Sequence, residues 1–175
     1  MVCDKCNGAC CTNFVIYVTA HDAVRIAKNC SLEPTYFLNF YPVVGSMDLK
    51  HPVFKLKGRD YVLGLDSKDG TMKDCKFMMD IGGSKRCGIH KHRPLNCRTY
   101  PFILKDSELD LAEDHLCPKQ WWPEGKEKED YIKHTNQFNK ELEEYKKIVE
   151  IWNRNFGEKG SFLEFLHFIM KEVKI

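Results

Sequence analysis

Nine cysteines in a chain of 175 residues, four of them in CDKCNGACC at residues 3–11, constrain this protein more than any other feature of its sequence. Free cysteine is often a small buried hydrophobe, but four within one short stretch crowd one another out of that role. A vicinal Cys10–Cys11 disulfide would be strained and would have to persist in a reducing compartment. The use that remains is thiolate coordination of a metal. Cys3 and Cys6 form a C-x2-C pair, a spacing that lets one turn present two sulfurs to one centre. Cys10 follows after three residues, with Cys11 beside it. Adjacent side chains point differently, so Cys10 and Cys11 are expected to serve different centres, or one of them to be a spare.

Distant cysteines complete the set. Cys75, Cys87, Cys97 and Cys117 lie far along the chain, and Pro118 follows Cys117 as a proline follows the remote ligand of ferredoxins. Cys30, alone at the end of an expected helix, reads as core or unpaired. The other eight divide into two four-thiolate centres. In HRPLNCRTYPF, residues 92–102, Arg93 and Arg98 bracket Cys97. Permanently charged guanidinium groups offset the negative charge of a thiolate-bound centre, so both arginines are expected to contact the cofactor. They support a metal without naming it. Structural zinc favours paired short chelate loops, whereas these later cysteines are scattered, a pattern that fits one or two [4Fe-4S] clusters better; zinc is the alternative. His90, His92 and His115 sit near cysteines and read either as ligands or as solvated loop residues. His21, His134 and His167 fall in helices and read as structural. Trp121 and Trp122 would shield a cluster or simply pack.

Composition narrows the class. At 43% hydrophobic and 30% charged the chain reads as globular, and a net charge of +2 gives no reason to expect a nucleic-acid or membrane surface. The N-terminal stretch has no apolar run of the signal-peptide kind, and FLEFLHFIM is broken by Glu164 and His167. The expected compartment is the cytoplasm, where thiols stay reduced.

The backbone reading is α+β: small strands and hairpins with irregular metal-binding loops, packed with several helices, the long amphipathic one C-terminal. FVIYV at 14–18 predicts a short strand. Thr19 with Asp22 predicts a capping box and a helix over 20–29, and Ser31 predicts a cap for a second helix over EPTYFLNFY. VFKLKGRDYVLGL predicts a hairpin turning at Gly58-Arg59-Asp60. The stretch from Cys75 to Pro101 shows no period and predicts a loop without regular pairing. FILKDSELDLA predicts a further hairpin. Tyr131, His134, Phe138, Leu142, Tyr145, Val149, Trp152 and Phe156 mark the stripe of a long helix. Ser161 with Glu164 predicts another capping box and a last helix ending near Val173. The expectation is one domain over 1–175, with a metal-binding part at 1–120 and a helical part at 121–175.

C-x2-C-x3-CC, TAHD, CKFM, CGIHKHRP, NCRTYPF and the distant Cys117, in that order, resemble the YkgJ-like cysteine-cluster family, whose domain is described as zinc- or iron-chelating. The resemblance covers residues 3–117, and EEYKKIVEIWN at 143–153 is similar to the helix that follows in such proteins. It implies a metalloprotein, with relatives described as iron–sulfur oxidoreductases or, with longer chains, as flagellin lysine methylases. No glycine-rich S-adenosylmethionine loop, nucleophile triad, catalytic carboxylate pair or P-loop is present. Three functions stay open: electron transfer with a redox partner protein, cluster-dependent chemistry on a small-molecule substrate, and a zinc-stabilised interaction module without catalysis.

Overall fold

The computed structural model describes residues 8–44, 50–70, 72–113, 115–117 and 121–174. The chain divides into two compact units, one of residues 1–16 and 67–139 and the other of residues 17–66 and 140–175.

The second unit begins with the predicted cap. The Thr19 hydroxyl accepts from the Asp22 amide at 3.1 Å, and the Asp22 carboxylate accepts from the Thr19 amide at 3.2 Å. Helix α2, Ala20–Cys30, follows with Ala20, Ala23, Val24 and Ile26 buried on one face. Ser31 does not cap a second helix; at φ 52° it is the left-handed residue that closes α2. Nor does that helix run to residue 41. Helix α3 is one turn, Pro34–Phe37, and the chain then extends as β1, Leu38–Pro42. The local helical preference loses to pairing: Leu38 to Pro42 run antiparallel to Leu65 to Tyr61 of β3, Arg59–Leu65. Strand β2, Phe54–Leu56, pairs with the other edge of β3 through a two-residue turn at Lys57 and Gly58. Both turn residues have positive φ, 50° and 74°, as a tight hairpin matching strand twist requires. The sequence placed that turn one residue later. The expected strand at 14–18 is reduced to a single bridge between Tyr17 and Gly64.

Helix α5, Gly125–Asn155, supplies this unit from Lys140 onward, and α6, Phe162–Glu172, starts at the predicted Ser161–Glu164 box. Leu142, Tyr145, Val149 and Trp152 of the α5 stripe are buried, whereas Phe156 is 46% exposed. Phe54 stacks on Phe165 at 3.9 Å, Trp152 meets Phe165 edge-on at 5.2 Å, and the indole Nε1 donates to the Lys55 carbonyl at 2.8 Å. Arg25 joins Asp22 and Glu141 through bonds of 2.5 and 2.7 Å, so the buried carboxylates are neutralised.

The first unit is built from short pieces. Helix α1 spans Ala9–Asn13. The stretch expected to lack regular pairing contains a hairpin, β4, Met78–Ile81, with β5, Ser84–Cys87, turning at Gly82-Gly83. A 3₁₀ turn at His90–His92 and the five-residue helix α4, Leu95–Thr99, follow. The predicted hairpin comes next as β6, Phe102–Lys105, and β7, Glu108–Leu111. Phe102 is buried, with Trp121, Trp122 and Tyr131 edge-on to it at 4.9 to 5.5 Å. The tryptophans therefore pack. The architecture is α+β, and among the described residues no helix is long and apolar enough to cross a membrane.

Candidate metal centre

Gly8, at φ 74°, makes the left-handed step by which the chain enters α1. A side chain there would collide with Lys85 of β5, whose Cβ lies 2.8 Å from the position a Cβ would take. The step matters because α1 carries Cys10 and Cys11. Their sulfurs lie 3.9 Å apart, so the vicinal pair does not diverge as side-chain alternation suggested.

Three other segments bring sulfur to this pair. The Cys75 amide donates to the Cys11 carbonyl at 2.7 Å, and Cys75 bridges back to Ser67. Cys87 ends β5, opposite Met78, and Cys97 sits in α4. The fields of Cys10, Cys97 and Cys75 all reach Cys11, and those of Cys87 and Cys10 reach Cys75. Five cysteines from four separated segments are thus linked pair by pair within electrostatic reach, without three of them closing on one point. The segment of Cys117 is drawn to the same region. The Leu116 amide donates to the Tyr100 hydroxyl just beyond α4, and the Tyr100 ring meets Phe14, three residues past Cys11, edge-on at 6.1 Å.

The electrostatics separate the pair. The hydrogen bond from Cys11 is the chief cause that brings Cys10 down to about 7, with Arg93 adding to it. Cys11, holding the shared proton and partly buried, is pushed far up. Burial raises Cys75 to about 11. One thiolate is therefore primed at neutral pH, the form that coordinates metal.

Arg93 is the other marked feature. Its Nε and Nη1 are buried and have no hydrogen-bond partner among the described residues. Buried donors left unmade cost about 1–3 kcal/mol each, so an anionic neighbour is the expected complement. Arg98, the second predicted cofactor contact, donates to the Arg93 carbonyl at 3.1 Å and the Lys91 carbonyl at 2.7 Å, which folds the loop around Cys97. Cys3 and Cys6 lie outside the described residues. Among the described residues, no three Cys, His, Asp or Glu side chains are grouped to hold a metal ion. Of the nearby histidines, His115 bonds the Ala112 carbonyl through Nδ1 at 2.8 Å. Cys30 stands at the end of α2, in the other unit.

One feature of the first unit had no signal in the sequence. A cleft of about 280 Å³ opens beside Arg93, and its lining includes Tyr131 and His134 from α5. These residues read as helix stripe because only tertiary structure brings them to the loop.

Soft donors on separate loops, with one thiolate primed and an unsatisfied guanidinium beside it, are the features expected of a cysteine-cluster metal-binding protein. A family model, CxxCxxCC, described as "putative zinc- or iron-chelating domain", matches residues 2–118, and the chain belongs to that family. No curated protein and no solved structure matches the chain. Where the family label spaces its second and third cysteines by two residues, this chain has three, Asn7, Gly8 and Ala9.

Proposed function

We propose that this protein is an iron–sulfur protein of reducing cytoplasm. Cys3, Cys6, Cys10, Cys11, Cys75, Cys87, Cys97 and Cys117 would supply thiolates to one or two [4Fe-4S] clusters. Bound there, a cluster supplies one-electron chemistry, serving a redox partner protein or a small-molecule substrate. The observation that carries the reading is the electrostatic linkage of five cysteines from four segments, with Arg93 in reach of Cys10. Its charge lowers the energy of the Cys10 thiolate and would do the same for an anionic centre.

Zinc is favoured by one observation. A tetrahedral zinc with bonds near 2.3 Å sets its thiolates about 3.8 Å apart. The Cys10 and Cys11 sulfurs, at 3.9 Å, match that edge. Under this reading the protein is an interaction module that metal holds in shape.

Anaerobic purification followed by iron, zinc and acid-labile sulfide analysis, with a Mössbauer spectrum, separates the two. Equal iron and sulfide in brown protein is the expected result. Colourless protein with stoichiometric zinc and no sulfide ends the iron–sulfur reading. Cys97→Ser and Cys117→Ser should cut metal content, while Cys30→Ser should leave it intact. Equal loading in all three would overturn the ligand assignment.

A further inference from the structure

The cleft beside Arg93 lies wholly within the first unit and draws on the loop around the 3₁₀ turn, on Arg98 of α4 and on α5. The loop around the 3₁₀ turn contributes Lys91 and Arg93, and the first turns of α5 contribute Glu127, Asp130, Tyr131 and His134. Glu127 and Asp130 are three residues apart, and Asp130 and His134 four, so all three share one helix face. The fields of Asp130 and Arg93 both reach His134, which places loop and helix groups around one space.

The charges in that space are arranged by depth. Arg93 has buried donors without partners, whereas Glu127 and Asp130 are exposed. Among the described residues, neither carboxylate forms an ion pair with Lys91 or Arg93. A guanidinium cannot lose its proton, so its idle donors call for an oxyanion. On the exposed side two carboxylates outnumber Lys91, which favours a cationic group over a second negative charge. The half-buried Tyr131 ring offers an apolar wall between the two ends. About 280 Å³ lies just under the usual range for drug-sized ligands, which suits a small molecule.

We propose that this cleft binds a small zwitterion of the amino-acid class, with its carboxylate on Arg93 and its ammonium group toward Glu127 and Asp130. The inference goes beyond the metal reading and holds for iron or zinc. Because the field of Arg93 also reaches Cys10, a carboxylate bound on Arg93 would lie within electrostatic reach of that thiol.

The test is calorimetric titration of the full-length, metal-loaded protein with alanine, γ-aminobutyrate, acetate and malonate, with metal content measured on each sample. One of the two zwitterions should bind at least ten-fold more tightly than acetate, and malonate more weakly than acetate. Asp130→Asn should remove the preference for zwitterion over acetate while leaving acetate binding unchanged. Arg93→Gln, compared with the native protein at matched metal loading, should weaken every ligand at least ten-fold. Failure of both zwitterions to bind fully loaded protein overturns the proposal without touching the metal reading, and so does a preference for malonate. Loss of metal in Arg93→Gln with ligand affinity unchanged would assign the idle donors to the centre instead. Should Arg93→Gln not fold, Asp130→Asn still decides, since an unaltered preference in that variant refutes the arrangement.

Discussion

The two units of this chain are ordered by different physics. The second has an aromatic interior in which Phe37, Phe54, Tyr145 and Phe165 are fully buried and Trp152 is 2% exposed. Burial of such side chains supplies ample driving force. Among the described residues, the first unit has two hairpins of four-residue strands, two five-residue helices, the first half of α5 and a thinner set of buried apolar groups, chiefly Phe77, Met78, Ile89, Leu95, Phe102 and Leu109. Its described cysteines are half-buried instead of packed away. Isolated hairpins of that length are marginal in water, so an organising ligand has most to offer here. The comparison teaches that a chain can spend its large side chains on one unit and leave the other to coordination chemistry.

The sharpest way to break this comparison is to remove the metal. Under reducing conditions with a strong chelator, the first unit should lose stability on the order of 10 kcal/mol, the scale of a structural thiolate site. Hydrogen exchange should show β4, β5 and α4 unprotected while β3 and α6 stay protected. Uniform loss across the chain would erase the distinction.

Trp152→Ala attacks the other side. Removing this indole opens a cavity and abandons its bond to Lys55, a loss of about 3–5 kcal/mol by denaturant melting. Metal content should not change.

A third effect is set by pH. Burial lowers His51, in the second unit, from its ordinary 6.5 to about 4. Between those values the unfolded chain binds the proton and the folded one does not. The stabilisation is complete above pH 6.5, falls as the solution is acidified toward 4, and amounts to at most about 3 kcal/mol. His51→Gln should flatten the melting profile over that window.

The smallest effect is the cap. Thr19→Ala removes the hydroxyl that accepts from the Asp22 amide and should lower the second unit's stability by about 1 kcal/mol. A thermal melt of the variant checks it.

What the sequence made legible follows the range of each interaction. Both capping boxes were readable because their partners are three residues apart, and so was the hairpin at 102–111. Strand β1 reads as helix in the sequence because its determinant is the distant β3, where Leu38 meets Leu65 and Pro42 meets Tyr61. The β4–β5 hairpin had its signal in Gly82-Gly83, but MMDI and SKRC lack the apolar alternation that marks strands. At the site, residue type announced the thiols. The closeness of the Cys10 and Cys11 sulfurs, the idle donors of Arg93 and the cleft depend on how the loops and α5 come together, which no local pattern encodes.

Tyr145 offers a different kind of consequence. Its hydroxyl is wholly buried, has no hydrogen-bond partner among the described residues, and has its ionisation pushed far above the ordinary range by that burial. Its phenolate is strongly disfavoured until the interior of the second unit opens. After a jump to strongly alkaline solution, a delayed rise in ultraviolet absorbance that Tyr145→Phe abolishes would time each opening. The molecule thus carries an internal stopwatch that needs no label.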